Sequence, residues 1–269
     1  MLVNARIAAD AVGATKMDRP EWGAVDPLTG AVYMTLTNNN AAMRPLASTD
    51  AANPRHYNDP RANGSAQRGN PNGHIIRWLE AKNDPAATTF KWDIYLFGAR
   101  AGADPANVNV SGLTADNDFS SPDGLWFSNA SAICWIQTDD GAYTDVTNCM
   151  MLAALPGSVG DGGADARKII VNTDEKGAAK EVRTLVGAQP GDRLRRFLVG
   201  PAQCEITGIT ESPDGRALFV NIQHPGEDTK PADIGNPAVW ASHWPDGGMT
   251  RPRSATIVIT RDDGGVIGL

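Results

Sequence analysis

The sequence predicts an all-β fold organised as a β-propeller, with about three four-stranded blades joined by long inter-strand loops. Three observations predict it. A unit with an acidic start, an apolar strand, a turn and an aromatic-bearing strand recurs three times. Each copy is followed by two further strand candidates, which makes a four-stranded repeat. The 28 glycines and 18 prolines are spread along the chain, as turns between many short strands require.

The first copy runs from Glu21-Trp22-Gly23-Ala24-Val25 through a turn at Thr29-Gly30 to Val32-Tyr33-Met34-Thr35-Leu36-Thr37. The second runs from Asp123-Gly124-Leu125-Trp126-Phe127 through Ser128-Asn129 to Ile133-Cys134-Trp135-Ile136-Gln137-Thr138. The third runs from Glu205-Ile206-Thr207-Gly208-Ile209-Thr210 through Ser212-Pro213-Asp214-Gly215 to Leu218-Phe219-Val220-Asn221-Ile222-Gln223. Acid and aromatic are 12 residues apart in the first two copies and 14 in the third.

The outer strands follow in order. Gly73–Trp78 and Thr89–Leu96 complete the first blade, Cys149–Ala154 and Leu194–Val199 the second, and Ala238–Trp240 and Ala255–Thr260 the third. The blades thus span residues 17–97, 119–200 and 203–261 of a single domain, 1–269. An irregular β-sandwich would explain the strand count but not the repeated acidic start. Helical periodicity is weak throughout. The stretch from Asp165 to Leu185 fits a short helix or an extra hairpin, and Asn38 to Gly73 is a loop long enough to carry function.

Composition excludes several classes. A net charge of −7 disfavours nucleic acid as a partner and suits a chain that gathers carboxylates around cations. No segment is long and apolar enough to span a membrane. Met1 to Thr15 lacks the basic and apolar regions of a signal peptide, so the chain reads as cytoplasmic, or as a mature form or fragment. Three cysteines encode no disulfide framework; they read as buried hydrophobes, with a Cys134–Cys149 bridge open in an oxidising compartment.

Inner strands of successive blades face one another across a propeller's axis. Glu21, Asp123 and Glu205 would therefore converge. Unpartnered carboxylates repel, and a hard cation such as Ca²⁺ relieves them. The competing reading makes these acids strand-end caps or partners of Arg19, Arg6 or Arg196. In an extended strand Arg19 shares a face with Glu21, where its planar fork would suit a phosphate; a plain Arg19–Glu21 ion pair is the alternative. Asn38, Asn39, Gln137, Asp139, Asn221, Gln223 and His224 are secondary candidates for cation or substrate contacts, against turn or loop roles. His56, His74 and His243 lack metal spacing and read as surface or packing residues. No nucleophile elbow, P-loop or EF-hand loop occurs.

Several segments resemble the PhoX family of bacterial alkaline phosphatases. They include Met17-Asp18-Arg19-Pro20-Glu21-Trp22, Thr35-Leu36-Thr37-Asn38-Asn39, Ser121-Pro122-Asp123-Gly124-Leu125-Trp126, Cys204-Glu205-Ile206-Thr207-Gly208 and Asn221-Ile222-Gln223-His224-Pro225-Gly226-Glu227. They run in order over nearly the whole chain. The resemblance implies a six-bladed, exported propeller that hydrolyses phosphomonoesters with calcium and iron in one cluster. By motif, Arg19 would hold the substrate phosphate, Glu21 would ligate the cluster, and Asp123 and Glu205 would be ligands from later blades. It also implies a periplasmic or secreted location.

One departure accompanies the matches. The family's Trp-Gly-Thr…Cys-Glu-Glu ligand segment is absent, since Cys204-Glu205 lacks that lead. The chain is thus expected to be the C-terminal half of a ring, with two open blade faces. It would be a fragment of low activity, associate with a separate N-terminal half, or close a ring as a homodimer. The alternative function is a noncatalytic or lactonase-like calcium-binding propeller, or an inactive phosphatase fragment.

Overall fold

The computed structural model describes residues 2–269. In chain order its elements are α1 (Ala5–Ala11), β1 (Pro20–Val25), β2 (Val32–Leu36), β3 (Asn39–Asn40), β4 (Tyr57–Asn58), β5 (Arg68–Asn70), β6 (His74–Glu80), β7 (Phe90–Phe97), β8 (Pro122–Phe127), β9 (Cys134–Thr138), β10 (Met150–Ala154), β11 (Arg167–Thr173), β12 (Ala179–Leu185), β13 (Leu194–Val199), β14 (Glu205–Glu211), β15 (Ala217–Gln223) and β16 (Ala255–Thr260), with short 3₁₀ turns between. The strands form five antiparallel sheets. The all-β expectation holds.

The first sheet has the order β1-β2-β6-β7 and the second the order β8-β9-β10-β13. Both match the predicted four-strand repeats. The third has only three strands, β14-β15-β16. Its missing member is the predicted strand at Ala238–Trp240, where Pro237–Val239 forms a 3₁₀ turn. Pro237 has no N–H to give to a ladder, and Asn236 caps the turn by accepting from Ala238 N.

Three other expectations are refined. The loop from Asn38 to Gly73 contains its own small sheet, β3-β5-β4. The Asp165–Leu185 stretch forms the β11-β12 hairpin, which packs Ile170 against Ile94 and Phe97 of β7. The helix α1 was not foreseen: its seven residues bury nothing and so carry no apolar stripe.

The first three sheets stack in chain order. Tyr33, Ile75 and Tyr95 of the first pack against Leu125, Phe127 and Ile136 of the second. Trp135 and Met151 of the second pack against Ile206, Leu218 and Val220 of the third. The leading strands contact in sequence, β1 with β8 and β8 with β14. Within the first seam, Arg77 is fully buried. It donates to Asp93 Oδ1 at 2.6 Å and to Asp161 Oδ1 at 2.7 Å, and its guanidinium lies 5.0 Å from the Tyr95 ring centre.

Each leading hairpin carries a register irregularity. Glu21 and Trp22 together oppose Thr35 between the pairs Pro20↔Leu36 and Gly23↔Met34. Asp123 and Gly124 oppose Gln137 between Pro122↔Thr138 and Leu125↔Ile136. In the third hairpin the extra residue is Gly208, between Thr207↔Asn221 and Ile209↔Val220. Aligned on these bulges, Thr207 occupies the place of Glu21 and Asp123, and Glu205 the place of Arg19 and Ser121. The expected equivalence of Glu205 with the other two acids is therefore corrected by two residues, which accounts for the longer spacing in the third copy.

The stack leaves two outward faces. On the first sheet a groove of about 720 Å³ is lined by Met34, Ile76, Trp78, Phe90 and Trp92. On the third, Phe219 and Val258 are exposed. All three cysteines are free and buried. Cys134 packs between the first and second sheets, while Cys149 packs between the second and third, so the open possibility of a Cys134–Cys149 bridge is not realised. No helix among the described residues is long and apolar enough to cross a membrane.

Candidate functional site

The bulges matter because an extra residue re-aims the side chains beside it. In β1 and β8 they carry Glu21 and Asp123. Arg19 precedes β1 with φ of 44°, so it is not the extended neighbour of Glu21 that simple alternation implies. Its guanidinium nevertheless reaches that acid: Nη2 donates to Glu21 Oε1 at 3.1 Å, and Nη1 to Asn38 Oδ1 at 3.1 Å. Both side chains remain partly exposed, 53% for Arg19 and 36% for Glu21. This is the Arg19–Glu21 ion pair anticipated as an alternative, placed at an open rim.

The backbone beneath Arg19 is fixed. Thr37 N donates to the Arg19 carbonyl at 3.1 Å. Asp18 is fully buried, pairs with Arg44, and accepts from Asn39 Nδ2 at 2.7 Å. Asn39 thus serves the support beneath the rim. The neighbouring sheet is pinned as well, because Thr37 Oγ1 donates to the Pro122 carbonyl at 2.9 Å.

Asp123 is the electrostatic centre. Burial, followed by the charges of Glu205, Glu21 and Asp139, pushes its carboxyl from 3.8 up to about 7, with Arg19 opposing. The charges of Glu21, Glu205 and Asp139, from all three sheets, thus reach Asp123. His224 stands beside Glu205, its Nε2 3.5 Å from Glu205 Oε2 with no hydrogen bond between them. His224 Nδ1 stands 3.1 Å from Glu227 Oε2, though not in hydrogen-bonding direction. The Glu227 carboxyl is raised, chiefly by burial.

Gln137 is fully buried, not at the rim. Its Nε2 donates to the Gly208 carbonyl at 3.3 Å, and a Cβ on Gly124 would strike its Oε1. That oxygen accepts no hydrogen bond from the protein. Of the two other arginines proposed as partners of these acids, Arg196 is engaged with Asp118 at 2.6 Å, and Arg6 forms no ion pair among the described residues. Of the other histidines, His56 and His74 are buried packing residues, and burial lowers His74 to about 4.

Two contributors escaped sequence reasoning. Ser121 lies under Asn38, and its signal was the parallel between Ser121-Pro122-Asp123 and Arg19-Pro20-Glu21. Glu227 lies beside His224 with no spacing pattern to announce it.

Carboxylate oxygens of this kind suit a hard cation, which would relieve both the burial and the neighbouring charges that raise the Asp123 carboxyl. Among the described residues, however, no group of three or more His, Cys, Asp and Glu side chains is gathered closely enough to hold a metal. The donor set thus fits calcium in kind but is incomplete in number. The buried thiols lie in the packing between sheets and offer nothing to iron.

Comparison with known proteins identifies the family of the chain. The alkaline phosphatase PhoX family model matches residues 1–226. A solved structure, Pseudomonas fluorescens PhoX in complex with vanadate, a transition state analogue, is similar over 98% of this chain at 33% identity and a TM-score of 0.67. The chain spans 37% of the length of that protein. No match is found among curated proteins. The chain belongs to the alkaline phosphatase PhoX family.

Proposed function

We propose that this chain supplies one side of a phosphomonoesterase site, with Arg19 binding the phosphoryl group and Glu21, Asp123 and Glu205 holding calcium beside it. The observation that carries the reading is the meeting of Arg19, Glu21 and the raised Asp123 carboxyl at one rim. The one-third identity to a vanadate-bound phosphatase supports it.

Arg19 would meet two phosphate oxygens with its fork, exchanging part of its contact with Glu21 for the ligand. A bound calcium would polarise the phosphoryl oxygens and offset charge gained at in-line attack. Glu21 would keep one carboxylate oxygen on Arg19 and turn the other to the cation with Asp123, Glu205 and Asp139. His224 would keep Glu205 oriented. Asn38, Asn39 and Gln137 would act behind the rim, not on substrate. Iron is the second metal that the family resemblance implies, and its ligands would come from outside these residues.

The wider arrangement belongs to the same proposal. The three stacked sheets are read as propeller blades over residues 17–97, 119–200 and 203–261 of one domain, with the two outward faces meeting further blades. Those blades would come from the remainder of a longer chain, a separate N-terminal half or a second copy. A periplasmic or secreted setting follows from the family resemblance.

The experiment is turnover of a chromogenic phosphomonoester at alkaline pH, with Ca²⁺ alone and with iron, beside Arg19→Ala. Calcium-dependent turnover that the substitution abolishes supports the reading. Calcium binding without turnover in any metal favours a noncatalytic calcium-binding role.

A further inference from the structure

The phosphate reading of Arg19 raises the question of what holds Arg19. An exposed Arg–Glu pair is weak and mobile by itself, whereas phosphate recognition by a fork depends on orientation. We propose that Asn38 and Ser121 are a positioning pair that fixes the Arg19 guanidinium across the seam between the first and second sheets; this inference rests on the phosphate reading.

The geometry is explicit. Two different nitrogens of Arg19 are used, Nη2 on Glu21 Oε1 and Nη1 on Asn38 Oδ1, each at 3.1 Å. Two anchors on separate residues set the plane of the guanidinium, which one anchor cannot do. Asn38 is itself held from behind, since its Nδ2 donates to Ser121 Oγ at 3.4 Å. Both ends of the amide are therefore engaged, which suits a bracket better than a substrate contact.

Ser121 is a rigid post. It is fully buried, its N–H donates to the Asn72 carbonyl at 2.9 Å, and its carbonyl accepts from Asp139 N at 3.2 Å. Its hydroxyl lies 3.2 Å from Asp140 Oδ1 and 3.2 Å from Ser120 Oγ.

The backbone carries an independent mark of the same device. Arg19 and Ser121 each precede a proline and an acid, and they occupy equivalent places in the two bulged hairpins. Both have left-handed φ, 44° and 51°. That conformation is unfavourable for any residue with a Cβ, and it persists only where the surroundings enforce it. Here it is enforced twice, at the two residues that Asn38 joins.

Two measurements on the intact chain test the proposal. The first is ¹⁵N NMR of the Arg19 guanidinium without metal or ligand. Slow rotation with distinct Nη signals is expected in the parent. Averaged signals are expected in Asn38→Ala and Ser121→Ala, with the backbone spectrum otherwise retained. The second is calorimetric titration with inorganic phosphate in the presence of Ca²⁺. Arg19→Ala should abolish binding, and Asn38→Ala should weaken it by about tenfold, the size of one charge-assisted hydrogen bond.

Unchanged Arg19 rotation and unchanged phosphate affinity in Asn38→Ala and Ser121→Ala overturn the positioning role while leaving the phosphate reading intact, provided Arg19→Ala loses binding. Parent-like binding in Arg19→Ala overturns the phosphate reading and the inference with it.

Discussion

Thr35 donates its hydroxyl to the backbone carbonyl of Asp123 at 2.7 Å, joining two sheets whose partners lie 88 residues apart in sequence. The same oxygen accepts from Trp22 N at 2.9 Å. One hydroxyl thus ties the bulge that presents Glu21 to the bulge that presents Asp123. Removing it should loosen the spacing of the acids before it loosens the fold. Thr35→Val is expected to lose about 1–2 kcal/mol of stability by leaving buried polar groups unpaired, and to weaken Ca²⁺ binding. Thr35→Ser should restore both. Urea unfolding and calcium titration are the checks.

The Asp123 carboxyl sets a pH dependence for the metal-free chain. Its folded value of about 7 lies above its ordinary 3.8. Well below 3.8 the proton is held in both states. Between about 3.8 and about 7 the folded state keeps a proton that the unfolded state releases, so this group's contribution to stability declines as pH rises. Asp123→Asn should therefore melt higher than the parent at about pH 8 and nearly level with it at about pH 3. Melting curves in a chelating buffer would show the divergence; parallel curves at both pH values would remove Asp123 as its source.

Calcium should reverse that slope. Binding to the folded state alone raises the melting temperature in proportion to the logarithm of free ion. Occupation of the acids must also expel the Asp123 proton. The stabilisation by Ca²⁺ should accordingly grow from pH 6 to pH 8 and shrink in Glu205→Gln. Calorimetry in two buffers of different ionisation heat would count the protons released.

Arg77 tests the seam apart from the rim. Its guanidinium neutralises Asp93 and Asp161 inside the packing of the first two sheets. Arg77→Met would leave the buried Asp93 without its cation, at an expected loss of about 3–5 kcal/mol. Because Arg77 does not line the rim, variant chains that remain folded should bind Ca²⁺ as the parent does. Urea midpoints and calcium titration together separate the two effects.

Much of this arrangement was legible in the sequence where side-chain pattern and structure share a period. The alternation in Ala217–Gln223 exposes one face and buries the other, and Val32–Thr35 alternates half-buried with buried positions, so both strands were readable. Ala238–Trp240 had the right apolar content, but Pro237 and the Asn236 cap turned it into a 3₁₀ turn. Glu21 and Asp123 were found by spacing and lie in equivalent bulges. Glu205 was found as an acidic start 14 residues before its aromatic, and it sits two places out because the bulge of that hairpin puts Thr207 at the position of Glu21 and Asp123. Gln137 was assigned to the rim on position alone; its burial follows from the close approach that Gly124 and Gly208 permit, which is a tertiary fact. Ser121 was marked only by the parallel of Ser121-Pro122-Asp123 with Arg19-Pro20-Glu21, because its supporting role lies in a left-handed backbone and a contact made 83 residues away, to Asn38.

The three unpaired thiols have a consequence for how the chain matures. Each is buried among apolar side chains, and burial raises the pKa of all three, so they stay protonated and unreactive near neutral pH. No covalent cross-link contributes to the stacking of the sheets. The same packed state is therefore reached in a reducing interior and in an oxidising exterior, and folding places no demand on a thiol oxidase or a disulfide isomerase.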